Sequence, residues 1–198
     1  LLPMEDIWVK PSMNPLNNLK PLLYGSKPVC GGGLTLSLAD AKEIVTSNPE
    51  SERFIKNFVG SDEITSGKLR KCIWINDEES EEAMGHGEIL KRLNVVRESR
   101  KKSPKKQTRE FATRPHSFIE RRRSGGSFVA LPCVSSESRE YLTPVSLTEN
   151  NVISNRCFGA YDAPLWYLSL LSSKLHYCWC ETTSGKLETR LNYSNTLT

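Results

Sequence analysis

The sequence predicts an α+β fold in a single domain over residues 1–198, with a helix-rich N-terminal part and a strand-rich C-terminal half. Three observations carry this prediction. The chain is 37% hydrophobic and 25% charged, with four Trp, six Tyr and six Phe, enough to bury a sizeable core and unlike a disordered tail. Apolar residues recur at helical spacing between residues 37 and 102. Beyond residue 126 the pattern changes to short β-branched and aromatic segments separated by turn formers.

Residues 1–36 form an irregular, docked opening segment, with five prolines in the first thirty positions beside the anchors Trp8 and Tyr24. Ser37, followed three residues on by Asp40, resembles a capping arrangement for a short helix to about Ser47, with apolar Leu38, Ala41, Ile44 and Val45 at helical spacing. Pro49 starts a second short helix, with Phe54, Ile55 and Phe58 as its inner face and Gly60 as its stop. KLRKCIWI at 68–75 alternates apolar and charged residues and reads as a half-buried strand ahead of an acidic turn at 76–79. Ala83, Ile89, Leu93 and Val96 mark a helix over 81–102 whose cationic end suits a helix C-terminus. Residues 103–126 read as a long basic loop anchored by Phe111, Phe118 and Ile119. Strands follow at 128–134, 152–158, 176–181 and 187–193, with a helix between 163 and 175.

No secretory address is visible in the opening residues, and the apolar run LWYLSLLSSKL at 165–175 is far short of the roughly 20 residues a membrane span needs. Six scattered cysteines without a secretion signal read as reduced thiols, so a cytoplasmic setting is expected. Catalytic signatures are absent: there is no GxSxG, HExxH or GxxxxGK[ST], and Gly31, Gly32 and Gly33 read as a tight turn. On a strand, His176, Cys178 and Cys180 of HYCWC share one face, a geometry open to a soft metal. The missing paired CxxC spacing favours core thiols and a packed His, so no metal site is assigned. His86 and His116 have no partner at motif spacing.

Charge distribution is more informative than the net +4. Between residues 91 and 123 thirteen Lys and Arg face three Glu, a local excess of +10 that leaves −6 for the rest of the chain. A polyanion is the natural partner, and Arg97, Arg100, Lys101, Lys102, Lys105, Lys106, Arg109, Arg121, Arg122 and Arg123 are the candidate phosphate contacts. Neither an amphipathic helix with an apolar stripe nor a lipidation site supports a membrane instead.

Several segments, taken in order, carry a family resemblance. They are KPLLYGSKPVCGGGLTLS (20–37), NPESERFIKNFVGSDEI (48–64), LRKCIWI (69–75), the basic helix end at 97–103, PCVSSESREYLTP (132–144), ISN (153–155), LSLLSSKLHYCW (168–179) and SGKLETRLNYSNTL (184–197). This series resembles the C-terminal target-recognition region of the MmeI-like (Type IIL) adenine-specific DNA methyltransferases, which take part in restriction-modification. Cys30 stands where the family usually has Asp, and Thr198 precedes the point where the family continues into a Tyr-Asn-Thr-Phe-Pro-like motif.

The resemblance implies sequence-specific reading of double-stranded DNA by a fragment of a larger enzyme, alongside a methyltransferase domain in the same parent chain. That domain would hold S-adenosylmethionine; this chain lacks both the family's glycine-rich cofactor motif and its Asn-Pro-Pro-Tyr motif, Asn14 and Pro15 being followed by Leu16. No cofactor and no catalytic residue is therefore assigned to the fragment. Glu188 and Arg190, two apart, are expected on one face of a strand or ribbon, at a family position that is similar to a site alternating between E-x-R and K-x-D. Arg can bond guanine O6 and N7 and Glu can accept from cytosine N4, so a G·C pair is the expected target there. A surface ion pair explains the same two residues. Asn155 and Arg156 are similar to other base-contacting positions of the family, and Ser135, Ser136 and Arg139 offer polar groups nearby. An RNA-binding or protein-docking module is the alternative the basic block leaves open.

Overall fold

The computed structural model describes residues 8–15 and 19–197; parts of the opening segment, at 1–7 and 16–18, and Thr198 lie outside the described residues. In chain order the N-terminal half carries β1 (Leu23–Tyr24), β2 (Thr35–Leu36), α1 (Leu38–Ser47), a 3-10 turn at Pro49–Phe54, β3 (Ile55–Val59), α2 (Ser61–Ser66) and β4 (Lys71–Ile73). A 3-10 turn at Asp77–Glu79 leads into α3 (Ser80–Met84), α4 (Gly87–Lys101), α5 (Lys106–Glu110) and a further 3-10 turn at Phe111–Thr113. The C-terminal half carries β5 (Phe128–Pro132), β6 (Val134–Ser135), β7 (Val145–Leu147), β8 (Asn151–Ile153), β9 (Cys157–Tyr161), α6 (Trp166–Leu171), α7 (Lys174–Thr183), β10 (Gly185–Leu187) and β11 (Arg190–Asn192). The α+β prediction holds.

The strands form three sheets with orders β2-β4-β3-β8, β1-β9-β5-β7 and β10-β11-β6. All pairings are antiparallel except β3 with β8, where Asn57, Phe58 and Val59 run parallel to Asn151, Val152 and Ile153. The first sheet shares one large cluster with α1, α3 and α4, in which Leu34, Ile73, Ile75, Ile89, Leu93 and Val96 are completely buried. Each such side chain contributes about 1.5–3 kcal/mol of transfer free energy. In β5 the period-2 alternation is clear: Val129 packs with Tyr167 and Leu171 of α6, whereas Phe128 and Ala130 pack with Ile153 and Cys157. With both faces covered, all five β5 residues are buried.

Local chemistry explains the elements that match the prediction. The Ser37 side chain accepts from Asp40 N at 3.1 Å and Asp40 Oδ2 accepts from Ser37 N at 2.9 Å, the reciprocal box expected at the start of α1. The three-glycine turn allows close approach to α4, because a Cβ on Gly31 would strike Ser99 and one on Gly33 would meet Arg92 O.

Four expectations are corrected. The helix expected after Pro49 ends as a 3-10 turn at Phe54, and Ile55, Phe58 and Val59 become the strand between β4 and β8, tied by the Asn57 amide to Asn151 at 3.2 Å. The helix over 81–102 is broken at Gly85 and His86; His86 is buried, with Nδ1 2.8 Å from Ser51 Oγ and its ring edge-on to Phe54. Residues 103–126 are not all loop, since α5 and a 3-10 turn lie within them. Finally, HYCWC is helical. Ser173 caps α7 by accepting from His176 N at 3.1 Å, so Tyr177 and Cys180 face inward while Cys178 is exposed, and the three residues share no face.

Candidate nucleic-acid interface

Two strands read as continuous in the sequence are each divided between two sheets, and the divisions lie side by side. The segment 152–158 is split into β8 of the first sheet and β9 of the second by a turn at 154–156, in which Cys157 N donates to Ser154 O at 2.9 Å. The segment 128–134 is split into β5 of the second sheet and β6 of the third at Cys133. Cys133 stitches the junctions together: its N–H donates to Arg156 O and its carbonyl accepts from Tyr193 N, both at 2.9 Å.

Between these junctions, α2 and the β10–β11 hairpin lies a cleft of about 440 Å³. Ser135, Ser136, Arg139, Asn155, Arg156 and Arg190 all line it. The structure thus brings together six of the seven residues the sequence singled out for base contact, drawn from three separate segments. The seventh, Glu188, is bound to Arg190, its Oε2 2.8 Å from Nη2. Their proximity has a different origin from the one expected. They do not sit on one strand face: Glu188 occupies the two-residue turn that pairs Leu187 with Arg190, with φ +58, a conformation uncommon for residues other than glycine.

The backbone of the cleft is heavily constrained, while several of its polar side chains are left unengaged. Asn155 N donates to Ser26 O at 3.0 Å, Ser154 N to Val59 O at 2.9 Å, and Arg156 O accepts from Ser61 Oγ at 2.9 Å. Gly25 lets the strap at 23–27 pass this turn, for a Cβ there would collide with Ser154 O. Among the described residues, no hydrogen bond or ion pair engages the side chains of Asn155, Arg156 or Arg139. Ser135 is only 7% exposed and its Oγ has no partner among the described residues. Tyr24, propped against Phe158 at 4.4 Å, forms part of the wall.

The basic block is less available than its composition suggests. Arg100 is corrected outright as a phosphate contact. It is 1% exposed, and its five guanidinium N–H groups donate to the carbonyls of Pro28, Val29, Phe111, Arg114 and Ser117 at 2.7–3.0 Å. Arg121 donates to Ile75 O at 2.8 Å and lies 4.4 Å over the Trp74 ring, so it is half committed to the core. Arg97 bonds Asn94, Lys101 pairs with Glu98, Arg109 donates to Ser103 and Pro104 carbonyls, and Arg123 to Glu149 O. Lys102, Lys105, Lys106 and Arg122 are exposed, with side chains free of hydrogen bonds and ion pairs among the described residues.

Sequence reasoning missed Tyr24 as a lining residue and the α2 wall, Ser61, Asp62 and Thr65. No local signal marks them, because it is the β3–β8 pairing that carries α2 to a turn more than ninety residues away in the chain.

Burial pushes the thiols of Cys133 and Cys157 up to about 12, which removes the thiolate needed of a nucleophile. The half-buried His176 contacts Tyr193 Oη at 3.2 Å and Cys180 Sγ at 3.6 Å, and His116 contacts Asp77 Oδ1 at 2.8 Å. No group of three metal-ligating side chains occurs among the described residues. Nor, among them, is any helix long and apolar enough to cross a membrane.

Comparison with known proteins converges on one family. The family described as "MmeI, target recognition domain" matches residues 3–198. DNA methyltransferase A of Bacillus subtilis (strain 168) is 30% identical over 190 residues, covering 96% of this chain and 22% of that protein. A solved structure of the Type IIL restriction-modification enzyme MmeI in complex with DNA superposes with a TM-score of 0.89 at 30% identity, covering 98% of this chain and 26% of that one. The chain therefore spans about a quarter of the length of these relatives.

Proposed function

We propose that this chain, which belongs to the MmeI target recognition domain family, reads a specific sequence in duplex DNA through the cleft between its sheet junctions. The observation that carries this reading is the convergence of Ser135, Ser136, Arg139, Asn155, Arg156 and Arg190 on one surface, with Glu188 held to Arg190. The tip of the β10–β11 hairpin, from Leu187 to Arg190, lies beyond the pairing of β11 with β6 and there has the width of a two-stranded ribbon, an element that enters the major groove of B-form DNA. The deep, narrow major groove of A-form RNA would not admit it, which favours DNA over the RNA-binding alternative.

Within the groove, Arg190 donates to guanine O6 and N7 while Glu188 accepts from cytosine N4, and Asn155 suits adenine N6 and N7. Arg156, Arg139, Ser135 and Ser136 supply further donors. Lys102, Lys105, Lys106 and Arg122 grip phosphates, with lesser help from the partly committed Arg97, Lys101, Arg109, Arg121 and Arg123.

Methyl transfer to adenine N6 belongs to a separate domain of a longer polypeptide, and S-adenosylmethionine is bound there. This chain's own residues do not fit that cofactor: its glycine run packs against α4, and its role is to position the DNA. Exchanging the pair as Glu188→Lys with Arg190→Asp tests the reading. Methylation-site mapping of the polypeptide carrying this chain is expected to show one base pair of the motif altered, from G·C to another pair. An unchanged motif would overturn the proposal.

A further inference from the structure

The base-reading cleft has a second wall. Besides the hairpin, Ser61, Asp62 and Thr65 of α2 line the same cavity as Asn155, Arg156 and Arg190. Ser61 is bonded to the Arg156 carbonyl at 2.9 Å, so α2 is fixed to the turn that bears the reading side chains. Asp62 is exposed, and its carboxylate has no hydrogen bond or ion pair among the described residues.

An unpaired carboxylate is an odd occupant of a DNA-facing cleft, since beside a phosphate it would repel. Its ordinary explanation would be helix capping, but that task is already performed by Glu63, whose Oε2 accepts from Gly60 N at 2.6 Å and from Arg70 Nη2 at 3.2 Å. Asp62 takes no part in that cap and lines the cavity instead. The same cavity is lined by the cations of Arg139, Arg156 and Arg190. A buried, unpartnered acceptor and donor, Ser135 Oγ, lines the same space, a second sign that an outside hydrogen-bonding group belongs there.

We propose that Asp62 is a base-reading residue that accepts a hydrogen bond from an exocyclic amino group, cytosine N4 or adenine N6, from the α2 side of the cleft. In the major groove only these two bases present a donor. A carboxylate rejects guanine O6 and thymine O4, which would place acceptor against acceptor. Discrimination is therefore between amino-bearing and keto-bearing edges on one strand, at a base pair other than the one read by Glu188 and Arg190. The inference rests on the DNA-reading function proposed above.

Selection of preferred sites from a randomised duplex pool, followed by competition with duplexes changed singly at each motif position, tests it. The polypeptide carrying this chain would be compared with its Asp62→Asn and Asp62→Ala variants and with the Glu188→Lys, Arg190→Asp exchange. Asp62→Asn, which can donate as well as accept, is expected to relax discrimination about 5- to 150-fold at one base pair and leave the others intact. Asp62→Ala is expected to do the same, and both variants should retain the far-ultraviolet circular dichroism of the parent. A selected motif that neither Asp62 variant alters, while the hairpin exchange does alter it, overturns the role of Asp62 alone. A parent polypeptide that selects no motif overturns the DNA-reading function and this inference with it.

Discussion

Arg100 sits within the densest run of cations in the chain, yet its guanidinium is enclosed by five carbonyls from two separate segments. Burial pulls its pKa below the usual value, and no carboxylate compensates, so the hydrogen bonds alone hold the charge in place. Arg100→Lys keeps the charge but offers three donors on a flexible stem in place of a fixed planar fork of five. Urea denaturation is expected to show a loss of about 3 kcal/mol or more for Arg100→Lys, from carbonyls left unsatisfied in the interior. An unchanged midpoint would return Arg100 to the surface role its sequence position implies. The contrast with Glu188, Arg190, Asn155 and Arg156 is instructive. Family motifs single those residues out one by one, and they do lie at one cleft or beside it, whereas the burial of Arg100 depends on strands and turns far away in the chain and leaves no local trace.

Among elements, α1 was legible because its capping box is a contact between residues three apart. The failures share a cause: a short segment satisfies two periodicities and a tertiary partner chooses between them. HYCWC alternates like a strand, but Ser173 starts a helix that buries Tyr177 and Cys180 against Leu191 and Tyr193. That choice has a pH signature. Burial lowers the pKa of His176 below its ordinary 6.5, so the unfolded chain binds the proton more readily than the folded one. This residue's penalty is absent above that value and grows as pH falls below it. Thermal melts across this range are expected to show a steeper loss of melting temperature on acidification in the parent than in His176→Gln, which keeps a polar partner for Tyr193 without a titrating ring. Parallel curves would refute this. The division of 152–158 between two sheets was equally illegible, although it creates the turn that holds Asn155 and Arg156.

For the whole molecule, the +10 excess over residues 91–123 is mostly engaged internally, which sharpens the expected salt dependence. Replacing Lys102, Lys105, Lys106 and Arg122 with Gln is expected to lower the slope of log binding constant against log salt by up to about 3–4. The preferred sequence should not change. A slope unaffected by all four would show that phosphates are held elsewhere.

The strap at 23–27 has one further consequence. It pairs with β9 through Leu23 and Tyr24, bridges Ser154 through Ser26 and meets Glu120 through Lys27, so its partners lie roughly a hundred residues or more downstream. Its seating therefore depends on contacts of long range along the chain, first with the segment around Glu120 and then with β9, and such contacts form slowly. Without β9 the strap has no strand to pair with, so the turn at 154–156 and the cleft beside it are late-closing features of the fold.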